Sequence, residues 1–332
     1  MPFAEIEHWL QQGLCAHVRV EDESASRIWE GFVDEIAIRI GGYSLSLGPV
    51  MDIANSVRVE YTRQDTVSST TNQREQRFTA PAENTQSEQR FGALTKFLSG
   101  GTLPTTAANQ MRNLYLAEKA WPKGYQTLSI GSGAGDMIDI LFKCVGYYAR
   151  LDVPARWSAS GTVNLSDKII TIVGYEKNGL FTGAQLDVAT NTTQVPAGEQ
   201  ESCTLWELLV GMLPYSDASF NRYTFGVYEN RRVIYAPTPT EIAYVSDLVE
   251  GTQQVRTPTG VRLAPWQIKP AQWIFFSSLR GARDISADLR QDPRAAFIET
   301  VRFTAPDKLE ISGGPADSLP QMMGRFGLAY QE

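Results

Sequence analysis

A chain of 332 residues, 42% apolar and 20% charged, has the composition of a folded globular protein and the length for two or three domains. A formal net charge of −7, with no basic cluster longer than Arg231-Arg232, argues against a surface that grips nucleic acid through phosphates. Cys15, Cys144 and Cys203 stand far apart without C-x-x-C spacing, and His8 and His17 are the only histidines, which argues against a disulfide framework, structural zinc and most histidine-based mechanisms.

No apolar run approaches the ~18–20 residues of a membrane helix. The opening "MPFAEIEHWLQQG" lacks a basic-then-apolar leader, so the expected compartment is a cytoplasm. In "FAEIEHWLQQGL", Phe3, Ile6 and Leu10 share one side of a short amphipathic helix. The pattern then turns to period two. Ile36, Ile38 and Ile40 alternate with Ala37 and Arg39, Gly41-Gly42 supplies a two-residue turn, and Tyr43, Leu45 and Leu47 alternate with Ser44 and Ser46. Alternation on both sides of such a pair predicts a β-hairpin. "NSVRVEYT" follows as a strand with Val57, Val59 and Tyr61 on one face.

Residues 63–90 are polar, and the sequence predicts a long exposed loop, either a linker or an arm that orders against a neighbouring subunit. "TTAANQMRNLYLAEKAWP" predicts a helix with Met111, Leu114 and Tyr115 on one stripe and Pro122 as its stop. From 156 the pieces look strand-like, "KIITIVGY" most of all. "TLWELLVGMLPY" predicts a helix capped by Thr204 and ended by Pro214. "YTFGVYENRRVIYAP" predicts a hairpin that sets Phe225 and Val227 against Val233 and Tyr235 across Glu229-Asn230. Residues 236–262 look like Pro- and Thr-rich loop, "QWIFFSSL" and "FIETVRFTA" like strands, and the end of the chain like a short helix after "DKLEISGG".

The stretch "TLSIGSGAGD", with Gly131, Gly133 and Gly135, is the one candidate cofactor loop. Glycine turns between a strand and a helix bind nucleotides because backbone N–H groups and the helix N-terminus face an anion. A methyltransferase using S-adenosylmethionine would use such a loop, with Asp152 at a plausible distance for a ribose contact. Against it, the chain does not alternate strands with helices, and Ser129 stands where the acidic residue usually ends the strand. The favoured reading is a glycine-rich β-turn with no cofactor. "DMIDILFKCVGYY", which follows, fits a helix through Ile138, Leu141 and Val145 or a strand through Ile138, Ile140, Phe142 and Cys144.

No nucleophile elbow, zinc-protease helix or phosphate loop is present. Carboxylates cluster in "VEDES" (20–24) and "VDEI" (33–36), where solvated turns and strand edges account for them better than a metal or glycosidase site. Trp29, Trp121, Trp157, Trp206, Trp266 and Trp273 are scattered and read as core or interface anchors rather than sugar platforms, although a carbohydrate-binding β-module remains a competing class. No catalytic residue and no metal ligand is expected.

Four segments in order carry a resemblance. "RIWEGFVDEIAIRIGGYSLSLGPVMDIANSVRVEYT" resembles the opening of tail-tip proteins of long-tailed bacteriophages, with W-x-G-x-V and N-x-V-x-V-x-Y strands. "SEQRFGALTKFL", "KCVGYYARL" and "YTFGVYENRRVIYAP" are similar to later segments of the same group. The resemblance implies a mainly β (α+β) chain of antiparallel, tail-tube-like β-barrel domains with a few short helices. The implied division is a first barrel over 1–157 with the polar loop 63–90 and a helix at about 105–121 inserted, a middle α+β domain over 158–240, and a C-terminal β domain over 241–332. It implies a non-enzymatic baseplate hub, or alternatively a distal tail ring, assembled in the host cytoplasm and located at the virion tail tip. The implied partners are copies of itself in a ring, a trimer before a hexamer, and other tail proteins (tube, distal tail, tip or fibre). DNA would pass without sticking, and no membrane is involved. Trp29, Gly31, Asn55 and Tyr61 are the expected fold-keeping positions, and 63–90 the expected contact arm. With no residues after 332 expected to form a wall-digesting domain, the resemblance does not imply wall digestion.

Overall fold

The structure, a computed structural model, describes residues 3–63, 76–128, 138–157, 160–176, 178–198, 200–215, 217–219, 221, 223–249, 252–277, 294–304 and 308–314. The chain is mainly β, with several antiparallel sheets and five short α-helices.

The first sheet is organised by one long strand. After helix α1 (Phe3–Gln12) and strand β1 (His17–Glu21), β2 (Arg27–Ile40) runs for 14 residues, and the Gly41 turn (φ 56°) returns it into β3 (Tyr43–Leu47). The hairpin forms in the expected register, Ile36 opposite Leu47 and Ile40 opposite Tyr43. Ile36 and Ile38 are buried because α1 lies over their face with Ile6 and Leu10, and Trp9 meets Phe142 edge-on at 4.8 Å. Burial of each such side chain stabilises by ~2 kcal/mol. Gly31 sits where a Cβ would come within 2.1 Å of the Val145 carbonyl oxygen, so no larger residue fits between β2 and its neighbour.

Next come β4 (Ser56–Arg63), β5 (Gln76–Phe78), β6 (Ala82–Glu83), helix α2 (Thr85–Phe91), β7 (Thr95–Leu103) and helix α3 (Thr105–Lys119). β5 and β6 pair antiparallel with β4, and β7 pairs with it in parallel. The expectation of an exposed loop over 63–90 is therefore corrected for 76–90. Few apolar residues are needed here because Asn84 caps α2 by accepting from Ser87 N–H at 3.0 Å, and Phe91 at its end is buried. Residues 64–75 lie outside the described residues. Asn55 is fully buried: its Oδ1 accepts from Leu94 N–H at 2.7 Å and its Nδ2 donates to the Gly92 carbonyl at 2.7 Å. Tyr61 is buried too, and its hydroxyl donates to Thr105 Oγ1 at 3.1 Å. The α3 stripe departs from expectation, since Ala108 is the buried residue while Met111 and Leu114 face outward. The first unit ends with β8 (Gly124–Leu128) and β9 (Ile138–Gly146).

The middle unit has the largest core. It contains β10 (Pro154–Trp157), β11 (Thr162–Asn164), helix α4 (Leu165–Gly174), β12 (Leu186–Val188), β13 (Gln194–Pro196), β14 (Gln200–Thr204), helix α5 (Leu205–Met212), β15 (Tyr223–Val227) and β16 (Val233–Pro237). "KIITIVGY" is part of α4, not a strand. Leu165, Ile169, Ile172 and Val173 recur at helical spacing and are buried against α5, so packing overrides the local preference of β-branched residues. α5 starts with the expected Thr204 cap, which Glu207 completes as a capping box: its N–H donates to Thr204 Oγ1 at 3.1 Å. In the β15–β16 hairpin Phe225 faces Tyr235 and Val227 faces Val233, as expected, but the turn spans more than Glu229-Asn230.

The last unit is a five-stranded sheet of β17 (Ile242–Val249), β18 (Thr252–Arg256), β19 (Trp273–Phe276), β20 (Ala295–Thr304) and β21 (Lys308–Gly314), in the order β18-β17-β19-β20-β21. β17 and β18 correct the loop expected over 236–262. The expected C-terminal helix falls at 315–332, outside the described residues. Among the described residues no sheet closes into a barrel.

Candidate functional site

Two features stand out, and β2 carries both. The first is its outer half. β9 covers one edge of β2 from Gly31–Gly146 to Ile40–Ile138, while β1 and then β3 share the other edge, and β8 adds to β3. The strands run in the order β9-β2-β3-β8, every pair antiparallel, and among the described residues neither outer edge has a partner. One face of this sheet is apolar, with Ile36, Ile38, Ile40, Tyr43, Leu45, Leu47, Ile140, Phe142 and Leu128 in register. On the other face Glu35 stands opposite Lys143 (3.8 Å) and Arg39 opposite Asp139, and Ser46 donates to Glu35 at 2.6 Å. The charges on that face balance, and Leu141 and Tyr125 stand exposed among them.

The second feature lies at the other end of β2, where all three units meet. The Glu30 carboxylate is nearly inaccessible to solvent and accepts from Arg27 Nη1 and from the backbone N–H of Asn230, both at 2.7 Å. Arg231 Nε lies 3.9 Å away and His17 Nε2 3.7 Å away on the carboxylate's other oxygen. His17 Nδ1 and the Tyr147 hydroxyl share a 2.7 Å hydrogen bond. Asn230 and Arg231 adopt left-handed backbone conformations (φ 66° and 55°), which turns the hairpin loop toward β2. Lys269, from the last unit, donates to the Ile28 carbonyl at 3.2 Å and pairs with Glu229. Glu30 thus receives hydrogen bonds from two units, and Lys269 links all three.

Beside this network is a cleft of ≈ 990 Å³ whose lining includes the aromatic side chains of Trp29, Tyr148, Trp206, Phe225, Tyr228 and Trp266. Tyr148, Trp206 and Phe225 form a chain of ring contacts with centroids 5.7–5.8 Å apart. Burial raises the Tyr228 hydroxyl above its ordinary range, so it stays a neutral hydrogen-bonding group. A further junction joins the first and middle units, where Ala93 N–H donates to Asn178 Oδ1 at 2.7 Å and Glu176 anchors Asn178 by accepting from its N–H at 3.0 Å and its Nδ2 at 2.6 Å.

Gly131, Gly133 and Gly135 lie outside the described residues. The flanking chain is described: β8 precedes them and β9, a strand, follows, so the helix that a phosphate-binding loop needs does not come after this one. Asp152 is exposed and ends a short 3-10 turn, its N–H donating to Ala149 at 3.1 Å. The acidic clusters are separate. Asp22 closes the β1–β2 turn by accepting from Ser24 and Ser26, which holds its carboxyl below the usual range, while Asp34 is buried and pushed above it, accepting from Met51 N–H at 3.1 Å. Among the described residues no group of three His, Cys, Asp or Glu is placed to hold a metal, and no helix is long and apolar enough to cross a membrane. The three cysteines are free thiols, each pushed up by burial.

Of the scattered tryptophans, Trp29, Trp206 and Trp266 converge on the cleft, whereas Trp273 is buried with its Nε1 donating to Pro239 at 2.8 Å. No spacing in the sequence signals that convergence, nor the meeting of Glu30 with Asn230 two hundred residues away. Comparisons of the chain with family models, curated proteins and solved structures find no match.

Proposed function

We propose that the chain is a structural building block of a phage tail tip, a hub-type ring around the tail channel that links the tube to the tip and to host-recognition parts. The observation that carries this reading is the β9-β2-β3-β8 sheet, whose two outer edges have no partner among the described residues. β8 and β9 run in opposite directions, so β8 of one copy can pair with β9 of the next and keep the antiparallel alternation unbroken around a ring. A barrel would then be completed by several copies, trimer before hexamer, rather than within one chain. The opposite face, with Glu35 set against Lys143 and Arg39 against Asp139, suits a passage for DNA because it offers phosphates no basic stripe. The W-x-G-x-V motif on which the resemblance rests falls on β2, and the Val57, Val59 and Tyr61 of the second motif fall on β4.

Electron microscopy of the purified chain tests the reading, with open-centred three- or six-fold rings as the expected result. Gln126→Pro and Thr127→Pro sharpen it. Alternate β8 residues point their N–H groups to opposite edges, so one proline breaks pairing with β3 and lowers Tm, and the other removes only an outward donor. The second should abolish rings at unchanged Tm. Rings that survive both variants would refute the edge-to-edge assembly.

A second reading rests on the cleft, whose aromatic walls and Glu229–Lys269 pair suit a saccharide held by stacking and hydroxyl contacts. Glycan-array binding that disappears in Trp206→Ala would favour this reading. No binding in the intact chain would end it.

A further inference from the structure

The three units are not held together in the same way. Tyr147, where the first unit passes into the middle one, packs against the apolar clusters of both, and the buried Glu30 carboxylate adds its hydrogen bonds across that boundary. The last unit differs. Among the described residues its two apolar clusters, one around Ile274 and one of Trp273 with Phe297, contain only residues of that unit. A single covalent connection reaches it, residues 238–241 between β16 and β17. Pro237 still pairs with Tyr223 in the middle sheet, while the Pro239 carbonyl already accepts from the buried Trp273 of the last unit. Thr238 alone lies between these two anchors.

The last unit is also one wall of the aromatic cleft. It contributes Trp266, Lys269 and Pro270, while Trp29 comes from the first unit and Trp206 and Phe225 from the middle one. From this wall the Lys269 ammonium donates to the Ile28 carbonyl at 3.2 Å and pairs with the Glu229 carboxylate, which ties the wall to both other units at once. The Trp266 side chain adds a hydrogen bond to Asp22 in the β1–β2 turn.

We propose that the last unit is a hinged wall of the cleft, pivoting at Thr238 and latched by Lys269 to Ile28 and Glu229. A unit with its own core keeps its shape as it moves, and a few residues at element ends can absorb the change in φ and ψ. The arc is short, because Pro237 and Pro239 fix their own φ and Pro239 holds Thr238 to extended conformations. The wall therefore swings without detaching. With the latch made, the cleft keeps its width; with the latch broken, it widens and its aromatic rings open to solvent. The Lys269–Glu229 pair is partly exposed, so salt screens it and ionic strength sets the balance. The latch works alike in a ring and in a free chain.

Distances between spin labels read the swing directly. Labels at Leu114→Cys on α3 and Val261→Cys in the last unit, both exposed positions, are placed on a full chain whose three native cysteines are replaced by alanine. An excess of unlabelled chain ensures that only distances within one chain count. The expected result at low salt is one narrow distance for the parent chain and, in Lys269→Met, a displaced population about tenfold more abundant. Glu229→Gln, which leaves the lysine in place, should shift the distribution less. Lys269→Arg keeps the charge and the donors and should stay narrow. Lys143→Met, which removes the pair with Glu35 farther along β2, should stay narrow too. Added salt should move the parent toward Lys269→Met and leave that variant unchanged. Acrylamide quenching of tryptophan fluorescence, in the chain with its own cysteines, gives a second measure and should rise in Lys269→Met because Trp29, Trp206 and Trp266 line the cleft. Identical distances and quenching in Lys269→Met and the parent would overturn the latch. Equal opening in Lys143→Met would overturn it as well, and so would a parent distribution already broad at low salt.

Discussion

The middle unit and the outer corner of the first sheet use the same kinds of side chain to opposite ends. Leu205, Leu208 and Leu209 on α5 are at most 2% exposed, packed against Ile169 and Ile172 on α4, whereas Leu128 on β8 is left open. Hydropathy cannot separate the two, since leucine is leucine in both places. What differs is cover: two helices and the β15–β16 hairpin close over the middle core, and nothing within the described chain closes over the corner. An apolar residue on a regular face becomes core only where another element closes over it.

The sharpest way to break this comparison is to make one truncation in both places. Leu209→Ala should cost about 3 kcal/mol by lost transfer energy and a residual cavity, read as a shifted urea midpoint. Leu128→Ala should stay within about 0.5 kcal/mol in the monomer. Equal losses would mean that the corner is covered after all. Asn55→Ala comes next, at about 2 kcal/mol, because it leaves the Leu94 N–H and the Gly92 carbonyl buried without their partner. Smaller again is Thr204→Ala at the start of α5, about 1 kcal/mol, recovered by Thr204→Ser, which restores the capping oxygen.

The smallest effect concerns pH. Burial holds the Asp34 carboxyl above its ordinary range, so the folded state favours the neutral form. Its contribution to stability is complete below the unfolded carboxylate pKa of ~3.9 and is lost as pH rises through the raised folded value. Asp34→Asn keeps an acceptor for the Met51 N–H without the buried charge. The variant should gain Tm relative to the unaltered chain at pH 8 and lose that gain toward pH 4. A gain independent of pH would mean that the charge is not the cause.

Much of the fold was legible where the determinants are local. Gly41-Gly42 between two alternating runs, the Thr204 cap, and Phe225 and Val227 set against Tyr235 and Val233 each depend on nearby residues, and each is realised. The α4 segment was misread because Ile169, Ile170, Thr171, Ile172 and Val173 favour extended backbone locally, while the burial that makes them helical comes from α5, which begins at Leu205. β17 and β18 were hidden by Pro and Thr residues at 236–240 and 257–259 that mark only their flanks. The Glu30 network and the convergence of Trp29, Trp206 and Trp266 had no local signal, because each brings together residues some two hundred positions apart in the chain. The glycines 131, 133 and 135 drew attention through their spacing, yet the strand after them, one of two conformations the sequence allowed, was the more informative element.

β2 has one more consequence. From Trp29 to Ile40 it spans ~36 Å of extended chain at ~3.3 Å per residue. At its inner end it holds the junction of the three units, and at its outer end it holds the open-edged sheet. Hydrogen bonds to β9 brace it along most of this length, with one break in register between Val33 and Glu35, near the point where its other edge passes from β1 to β3. Such a strand acts as a tie rod. Load applied along the strand would be delivered to the Glu30 carboxylate and its arginines, and the irregularity at Val33–Glu35 is the point at which the rod can bend.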